Sequence, residues 1–467
     1  MIPFSCAGFA SAQPSQGTAF IRSDFRPTIT PAYIPAPQSS EDVLYGLAYY
    51  CHTVKTVTET EEKLVESYLE RLFLAYFTAT IPWTREYAMS RLERDKAAGW
   101  FWRRHVASLK GEVIDYLGDR FHDVMMASFH DNTPVFSSTL KDELRPLNKK
   151  ARLFMPAPIE LTYVGMLLFG AQNDAIMSHL FRHPIMMGAQ CPGRDLCRVY
   201  ENLKMFSNKC CAYDTQKHDA SAALWVFRIL RDLRKKALPP EYADDVNRYY
   251  DAVYCSWVAI GDAILQVDGQ KSGQFLTASD NSLYECAMFI LHAIRNGLTF
   301  EELQQQVLYY VMGDDIIYAS RTDVFSPLRV ASTFASQGVF LECDSQEFVD
   351  VMKTTFLGTV PMDYEFRGVH VLIPLYRKSK ISNSLLWKKS KANELDMFAK
   401  LVSCATLLFA DKVAFSELRR DILDWYREHA NALVSTVESA KATTAYLRLL
   451  TSDLSLFVLH TGIELAR

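Results

Sequence analysis

Tyr309-Tyr310-Val311-Met312-Gly313-Asp314-Asp315-Ile316-Ile317-Tyr318 sets two adjacent acids between two apolar runs. Val307 to Met312 reads as one buried strand and Ile316 to Ala319 as another, with Gly313-Asp314-Asp315 as the tight turn of a hairpin. That geometry lifts two carboxylates off the end of a hydrophobic sheet. A buried acid resists ionising, but one on a turn open to water, beside a divalent cation, stays charged and can bind metal. Asp-rich turns are also common as plain solvated hairpin tips. The tripeptide therefore gains meaning only from what accompanies it, and in which order.

A second acidic site lies upstream. Cys210-Cys211-Ala212-Tyr213 reads as a strand that Asp214 ends, and Thr215 to His218 as a polar turn. Asp219 falls where the N-cap of a helix over Ala220 to Leu230 would sit. Taken alone, Asp219 is a helix cap. Asp214, at a strand end, is better explained as a metal ligand once Asp314 is in view. Val267 to Gln274 reads as a flexible polar loop and Thr277 to Ile294 as a long helix with Leu283, Ala287, Ile290 and Leu291 toward the core. Thr277 and Asn281 share a face. Asn281 is either a satisfied core residue or a partner for a ligand hydroxyl.

Two basic stretches precede these sites. Lys141, Arg145, Lys149, Lys150 and Arg152 bring five cations within twelve positions. Lys150 and Arg152 alternate, so a strand would put both on one face, and such a row grips a triphosphate. A charge run is usually a solvated face, but this one flows straight into apolar Leu153 and Phe154, which argues for a cationic strand lining a cavity. Arg91 to Lys110 interleaves Arg94, Arg103 and Arg104 with Trp100, Phe101 and Trp102. Two readings fit: a nucleic-acid contact by phosphate pairing and base stacking, or an amphipathic surface helix with a buried Trp pair.

The chain has 467 residues, 49% hydrophobic and 22% charged, with a formal net charge of -4. Length predicts two to four structural units. No global basic balance announces a nucleic-acid partner, so such a site must be a local lining. Ten scattered Cys fit a reducing, intracellular compartment. Cys191 and Cys197 lack further ligands at zinc spacing and read as structural thiols. Neither a signal peptide nor a transmembrane run is expected. Residues 1 to 40 read as an extended arm. Helices are expected over Ser40 to Tyr50, Thr56 to Phe77, Leu328 to Gln337 and most of the chain from Leu385. Val339-Phe340-Leu341-Glu342 follows the third of these helices, and strands are expected over Thr354 to Val360 and Val369 to Leu375.

One chemistry uses all these parts. Two divalent ions held by Asp214 and Asp314, ~3.5–4 Å apart in such sites, could activate an RNA 3′-hydroxyl and stabilise a leaving pyrophosphate. Asp315 would share or tune that site. Lys150 and Arg152 would hold the triphosphate. Asp219 and Asn281 would hydrogen-bond the ribose 2′-hydroxyl, the group that separates RNA from DNA.

With these residues the chain resembles the RNA-dependent RNA polymerases of positive-strand RNA viruses in the picornavirus-like supergroup. Asp214-x4-Asp219 is similar to motif A, Ser272-Gly273-x3-Thr277-x3-Asn281 to motif B, and Gly313-Asp314-Asp315 to motif C. Lys141-Asp142-Glu143-Leu144-Arg145 with Lys150-Ala151-Arg152 resembles motif F. Ala98-Gly99-Trp100 is a looser match to motif G, and Phe356-Leu357-Gly358 to motif E. Ser272-Gly273-Gln274 and Ala157-Pro158-Ile159-Glu160 also resemble potyvirus-like polymerases.

The resemblance implies an α+β right-hand fold with an antiparallel palm sheet flanked by helices. It implies an N-terminal arm, fingers and fingertips over 1–195, palm over 196–224 and 261–375, a fingers insertion over 225–260 and a helical thumb over 376–467. It implies Mg²⁺, with Mn²⁺ as a substitute, at Asp214, Asp314 and Asp315. It implies NTP contacts at Lys141, Arg145, Lys150, Arg152, Asp219, Ser272, Thr277 and Asn281, and RNA contacts at Gly99, Trp100, Arg103, Arg104 and Gly273. Ser272 would help to position Asp219 and Asn281. Implied partners are template and product RNA, NTPs, and viral replication proteins or a protein primer, at membrane-associated sites in the host cytoplasm.

The chain departs from the family where a motif D Lys is common, for Gly338 to Asp350 holds none and Lys353 lies close to motif E. Gly358 stands where motif E often has a basic residue, and Lys378 and Lys380 read as surface charge. A reverse transcriptase is the alternative enzyme, but Gly313 before the paired acids and Asp219 opposite Asn281 argue against it. A non-catalytic RNA-binding scaffold is the other alternative, and the intact set of acids gives it no support.

Overall fold

The computed structural model describes residues 13–14, 33–35, 39–50, 57–141, 143–146, 149–191, 193–343, 345–385, 387–388 and 393–463. The quoted hairpin forms. Val307–Met312 and Asp315–Ser320 pair antiparallel, with Met312 opposite Asp315. Gly313 and Asp314 make the turn, and only Gly313 has a positive φ, +67°. A left-handed first turn residue is what a two-residue hairpin of this kind demands, and glycine adopts it without a Cβ clash.

The second hairpin strand pairs with Cys210–Thr215, and that strand with Leu341–Cys343, giving a four-stranded antiparallel sheet. Its apolar runs are continuous because both faces are covered. Tyr213, Tyr309, Val311, Ile316 and Tyr318 share a core with Leu283 and Phe289 of the Thr277–Arg295 helix. Phe289 stacks on Tyr309 with ring centroids 4.9 Å apart. On the other face Cys210, Tyr310, Ile317 and Ala319 meet Leu196, Val199, Tyr200 and Leu203 of the Arg194–Phe206 helix. Each such side chain contributes ~1.5–3 kcal/mol by leaving water.

The Thr277–Arg295 helix is buried on every side from Ser279 to Ala293. It is a core helix, and its polar residues therefore need partners. Asp280 is met by Arg234 Nε at 3.0 Å and Nη2 at 2.8 Å, and by the Tyr250 and Tyr254 hydroxyls at 2.9 and 3.0 Å. This network ties the Leu224–Lys236 and Ala243–Tyr254 helices to it. Beyond the sheet, Thr359–Phe366 and Val369–Tyr376 form a hairpin. The helices Lys378–Leu385, Glu394–Leu407, Lys412–Leu433, Val437–Thr451 and Asp453–Thr461 follow, around a core of their own.

Several expectations are corrected. The strand expected from Thr354 starts at Thr359, because Phe356 and Thr359 exchange backbone hydrogen bonds of 3.0 and 2.9 Å and reverse the chain between them. The helix expected over Thr56 to Phe77 contains a π-helical turn at Glu70–Leu74. Lys150 and Arg152 are not on a strand, which covers only Leu153–Phe154. Asp219 is not an N-cap. Lys217 holds that place with φ +50°, and a four-residue helix, His218–Ser221, follows before a separate helix starts at Leu224. The loop expected to be flexible has Gln270 and Lys271 fully buried. Most of the arm expected over residues 1 to 40 lies outside the described residues. Of it, Gln13–Pro14 pairs with Trp387–Lys388 and Tyr33–Pro35 with Leu144–Pro146.

Candidate active site

Asp315 stands opposite Asp214 in the ladder, and on the other side of Asp214 stands Glu342. Directly paired residues point to the same face, so three carboxylates form a row across three strands. Asp314 sits beside this row at the turn. Its carbonyl accepts from Thr215 N at 3.2 Å, and Gly313 N donates to Ser282 Oγ at 2.8 Å. The turn is thus pinned both to the Asp214 strand and to the core helix.

The row is electrostatically unfavourable by itself. Burial, then Asp314 and Glu342, push Asp214 up to about 6, against the pull of Arg152. Burial, then Asp314 and Asp214, push Asp315 up to about 7, against the pull of Lys380. Clustered like charges raise each other in this way, and a divalent cation reverses the effect. The donors are all carboxylate oxygens, which suit hard ions such as Mg²⁺ and Mn²⁺. Among the described residues no three His, Cys, Asp or Glu side chains already enclose a metal position.

The second constellation is built on the core helix. Asn281 Nδ2 donates to Asp219 Oδ1 at 3.0 Å, and Gln270 Nε2 donates to Asn281 Oδ1 at 3.0 Å. Burial holds Asp219 above the usual carboxylate range, while His218, Asn281 and Ser272 pull it back. Thr277 Oγ1 donates to the Lys271 and Gln274 carbonyls at 3.0 and 2.9 Å, closing the loop onto the helix. A Cβ on Gly273 would lie 2.5 Å from the Met155 carbonyl oxygen, so only glycine lets the loop pack there. Lys271 Nζ donates to the Gly269 carbonyl at 2.6 Å, and burial lowers its pKa to about 7.

Residues 29–427 match the family model described as viral RNA-dependent RNA polymerase. The chain belongs to this family.

Among its relatives, the genome polyprotein of Pea seed-borne mosaic virus is 25% identical over 312 residues, covering 62% of this chain and 9% of that protein. The genome polyprotein of Ornithogalum mosaic virus is 22% identical over 335 residues, covering 66% of this chain and 27% of that protein. The chain thus spans a small part of the curated relatives it matches. In fold it is similar to a solved structure, the Sicinivirus 3Dpol RNA dependent RNA polymerase, with a TM-score of 0.72 and 16% identity, covering 97% of this chain and 99% of that one. The molecule has the right-hand polymerase fold and is an RNA-directed RNA polymerase of the positive-strand viral kind.

In the polymerase the basic residues divide. Arg152 acts on Asp214. Lys141, Arg145 and Arg152 gather around Glu143 at 3.7, 3.5 and 3.9 Å. Lys150 turns instead to the Ser40–Ala48 helix, 3.8 Å from Asp42 and 4.4 Å from the Tyr45 ring centre. Farther off, Arg104 lies over the Trp100 ring at 4.5 Å and pairs with Asp262 at 2.5 Å. Trp102 is buried and donates to Glu160 at 2.8 Å, while Arg103 is exposed. Gly99, at φ +113°, brings its backbone against Pro158.

Sequence reasoning missed Glu342, Gln270, His218, Glu285 and Lys380. Lys380 reaches the Gly358 turn, 3.8 Å from where a Cβ there would be, and pulls on Asp315. Glu285 had a legible signal: an acid in an apolar helix, four residues after Asn281. Glu342 and Lys380 had none, since strand register and thumb packing bring them in.

Proposed function

We propose that the polymerase replicates a viral RNA genome by template-directed nucleotidyl transfer. The 3′-oxygen of the growing RNA bonds to the α-phosphorus of an incoming NTP. The bond from that phosphorus to its bridging oxygen breaks, and pyrophosphate leaves with the electron pair. The observation that carries this reading is the pairing of Asp214 with Asp315, with Asp314 at the adjoining turn and Asp219 hydrogen-bonded to Asn281 of the core helix.

Asp214, Asp314 and Asp315 would hold divalent cations, Mg²⁺ or Mn²⁺, which when bound make the 3′-hydroxyl more acidic and offset charge on the leaving group. Arg152, with Lys141, Arg145 and Lys150, would bind the triphosphate in place of Glu143 and Asp42. Asp219 and Asn281 would bind the 2′-hydroxyl, with Ser272 and Gln270 holding them in place. Trp100, Arg103, Arg104 and the Gly99 and Gly273 backbones would line the RNA path.

By the same resemblance we assign fingers to residues 1–195 and 225–260, palm to 196–224 and 261–375, and thumb to 376–467. We also place the reaction at membrane-associated sites in the host cytoplasm, with viral replication proteins or a protein primer as partners. Among the described residues no helix is long and apolar enough to cross a membrane.

The test is primer extension on a homopolymeric RNA template with Mg²⁺ or Mn²⁺, comparing the parent with Asp314→Ala. Extension by the parent that favours ribonucleotides and is lost in the variant is expected. Equal extension by the variant would place the catalytic centre elsewhere.

A further inference from the structure

Asp219 sits on an element that cannot hold itself in place. The His218–Ser221 helix has four residues, far below the length at which a helix is stable by itself. It opens from Lys217 in the left-handed region at φ +50°, a conformation strained for a non-glycine residue. Some tertiary contact must fix it.

One such contact is a buried His–Glu pair. His218 Nε2 lies 3.2 Å from Glu285 Oε1, with the two side chains 2% and 0% exposed. The His218 ring stands edge-on to Tyr284, centroids 4.8 Å apart. Glu285 Oε1 also accepts from Thr215 Oγ1 at 2.9 Å. Thr215 follows Asp214 and His218 precedes Asp219, so one carboxylate grips both ends of the turn between the two acids. Asn281 and Glu285 are four apart, one turn along the same helix face. They hold the consecutive residues Asp219 and His218.

The pair is poorly suited to stability alone. Glu285 Oε2 and both His218 ring nitrogens are buried without a well-directed hydrogen bond, so Nε2 and Oε1 meet as a close polar contact. Each such atom has lost its water without a replacement, and a packed apolar pair would avoid that loss. His218 Nδ1 instead lies 3.9 Å from Asp219 Oδ1. When protonated, the imidazole there favours a carboxylate that only accepts hydrogen bonds, as one that must take both the Asn281 amide and a substrate hydroxyl has to do.

We propose that the His218–Glu285 pair is a positioning device for ribose selection, fixing the Asp219 carboxylate against Asn281 and so setting the preference for ribonucleotides over deoxyribonucleotides. This rests on the reading of Asp219 and Asn281 as the ribose contacts.

The test is single-nucleotide extension with GTP and dGTP, measuring kcat and KM for the parent, Glu285→Gln, His218→Phe and Asp219→Ala, with melting temperatures alongside. Glu285→Gln keeps the shape and removes the charge. It should lower the GTP:dGTP ratio of kcat/KM by about tenfold, through the KM for GTP. His218→Phe should do the same, and Glu285→Asp should recover part of the ratio. Should His218→Phe fail to fold, the isosteric Glu285→Gln decides. An unchanged ratio in Glu285→Gln, or kcat falling equally for both substrates, overturns the proposal if Asp219→Ala does lose discrimination. If Asp219→Ala extends RNA with its ratio intact, the assignment of the ribose contacts falls and the proposal with it.

Discussion

Asp214 and Asp315 are register partners, set opposite one another where the Cys210–Thr215 and Asp315–Ser320 strands meet the active-site end of the sheet. The ladder fixes their backbone positions and turns both side chains to one face, so the two carboxylates remain neighbours. The fold stores their repulsion, and a cation is the group that relieves it.

The first prediction concerns pH and metal. Burial and neighbouring acids hold Asp214 at about 6 and Asp315 at about 7, above an unfolded value of ~4. A raised acid favours the folded state fully below its unfolded pKa, and that contribution is lost as pH rises through the folded pKa. Without metal, Tm should therefore fall between about pH 4 and pH 7, and Mg²⁺ should raise it at the upper end only. Differential scanning fluorimetry of the parent and Asp315→Asn checks this. The variant should show a flatter pH dependence, and equal slopes would contradict the account.

Lys380 pulls Asp315 downward. Lys380→Ala should move the acidic limb of the pH–rate profile for extension to higher pH, since deprotonated Asp315 then becomes harder to form. A profile that keeps its midpoint would show that Lys380 acts elsewhere.

Gln270 is fully buried and supplies the donor to the Asn281 carbonyl. Gln270→Leu leaves that oxygen unpaired and the Asn281 amide free to turn. Discrimination against deoxyribonucleotides should drop by about tenfold, less than in Asn281→Ala, which removes the contact itself. Competitive incorporation of GTP and dGTP measures both.

Arg234 and Asp280 are both fully buried. Arg234→Met leaves the Asp280 charge with only the Tyr250 and Tyr254 hydroxyls, at a cost of about 3–5 kcal/mol. A lower urea midpoint at unchanged slope is expected. Loss of extension without loss of stability would mean that Arg234 serves the site directly.

The hairpin, the Asn281 helix and the order of acids and cations were legible because each is local. Apolar runs of strand length around a Gly-Asp turn leave few alternatives, and a long apolar helix has one period. Lys150 and Arg152 show where that reading ended. Their alternation suggested a shared face, but the segment before Leu153 is not a strand, so Lys150 goes to Tyr45 and Arg152 to Glu143.

By itself the sequence determined which acids, which helix and which family of folds. Backbone propensity, hydrophobic period and glycine conformation act over a few residues, so they are written in neighbouring letters. Only the tertiary structure decided that Glu342 joins the carboxylate row, that Lys380 reaches the Gly358 turn, and that Glu285 holds the turn between Asp214 and Asp219. Those placements depend on strand register and helix packing between segments tens to hundreds of residues apart, and no local preference encodes such distances.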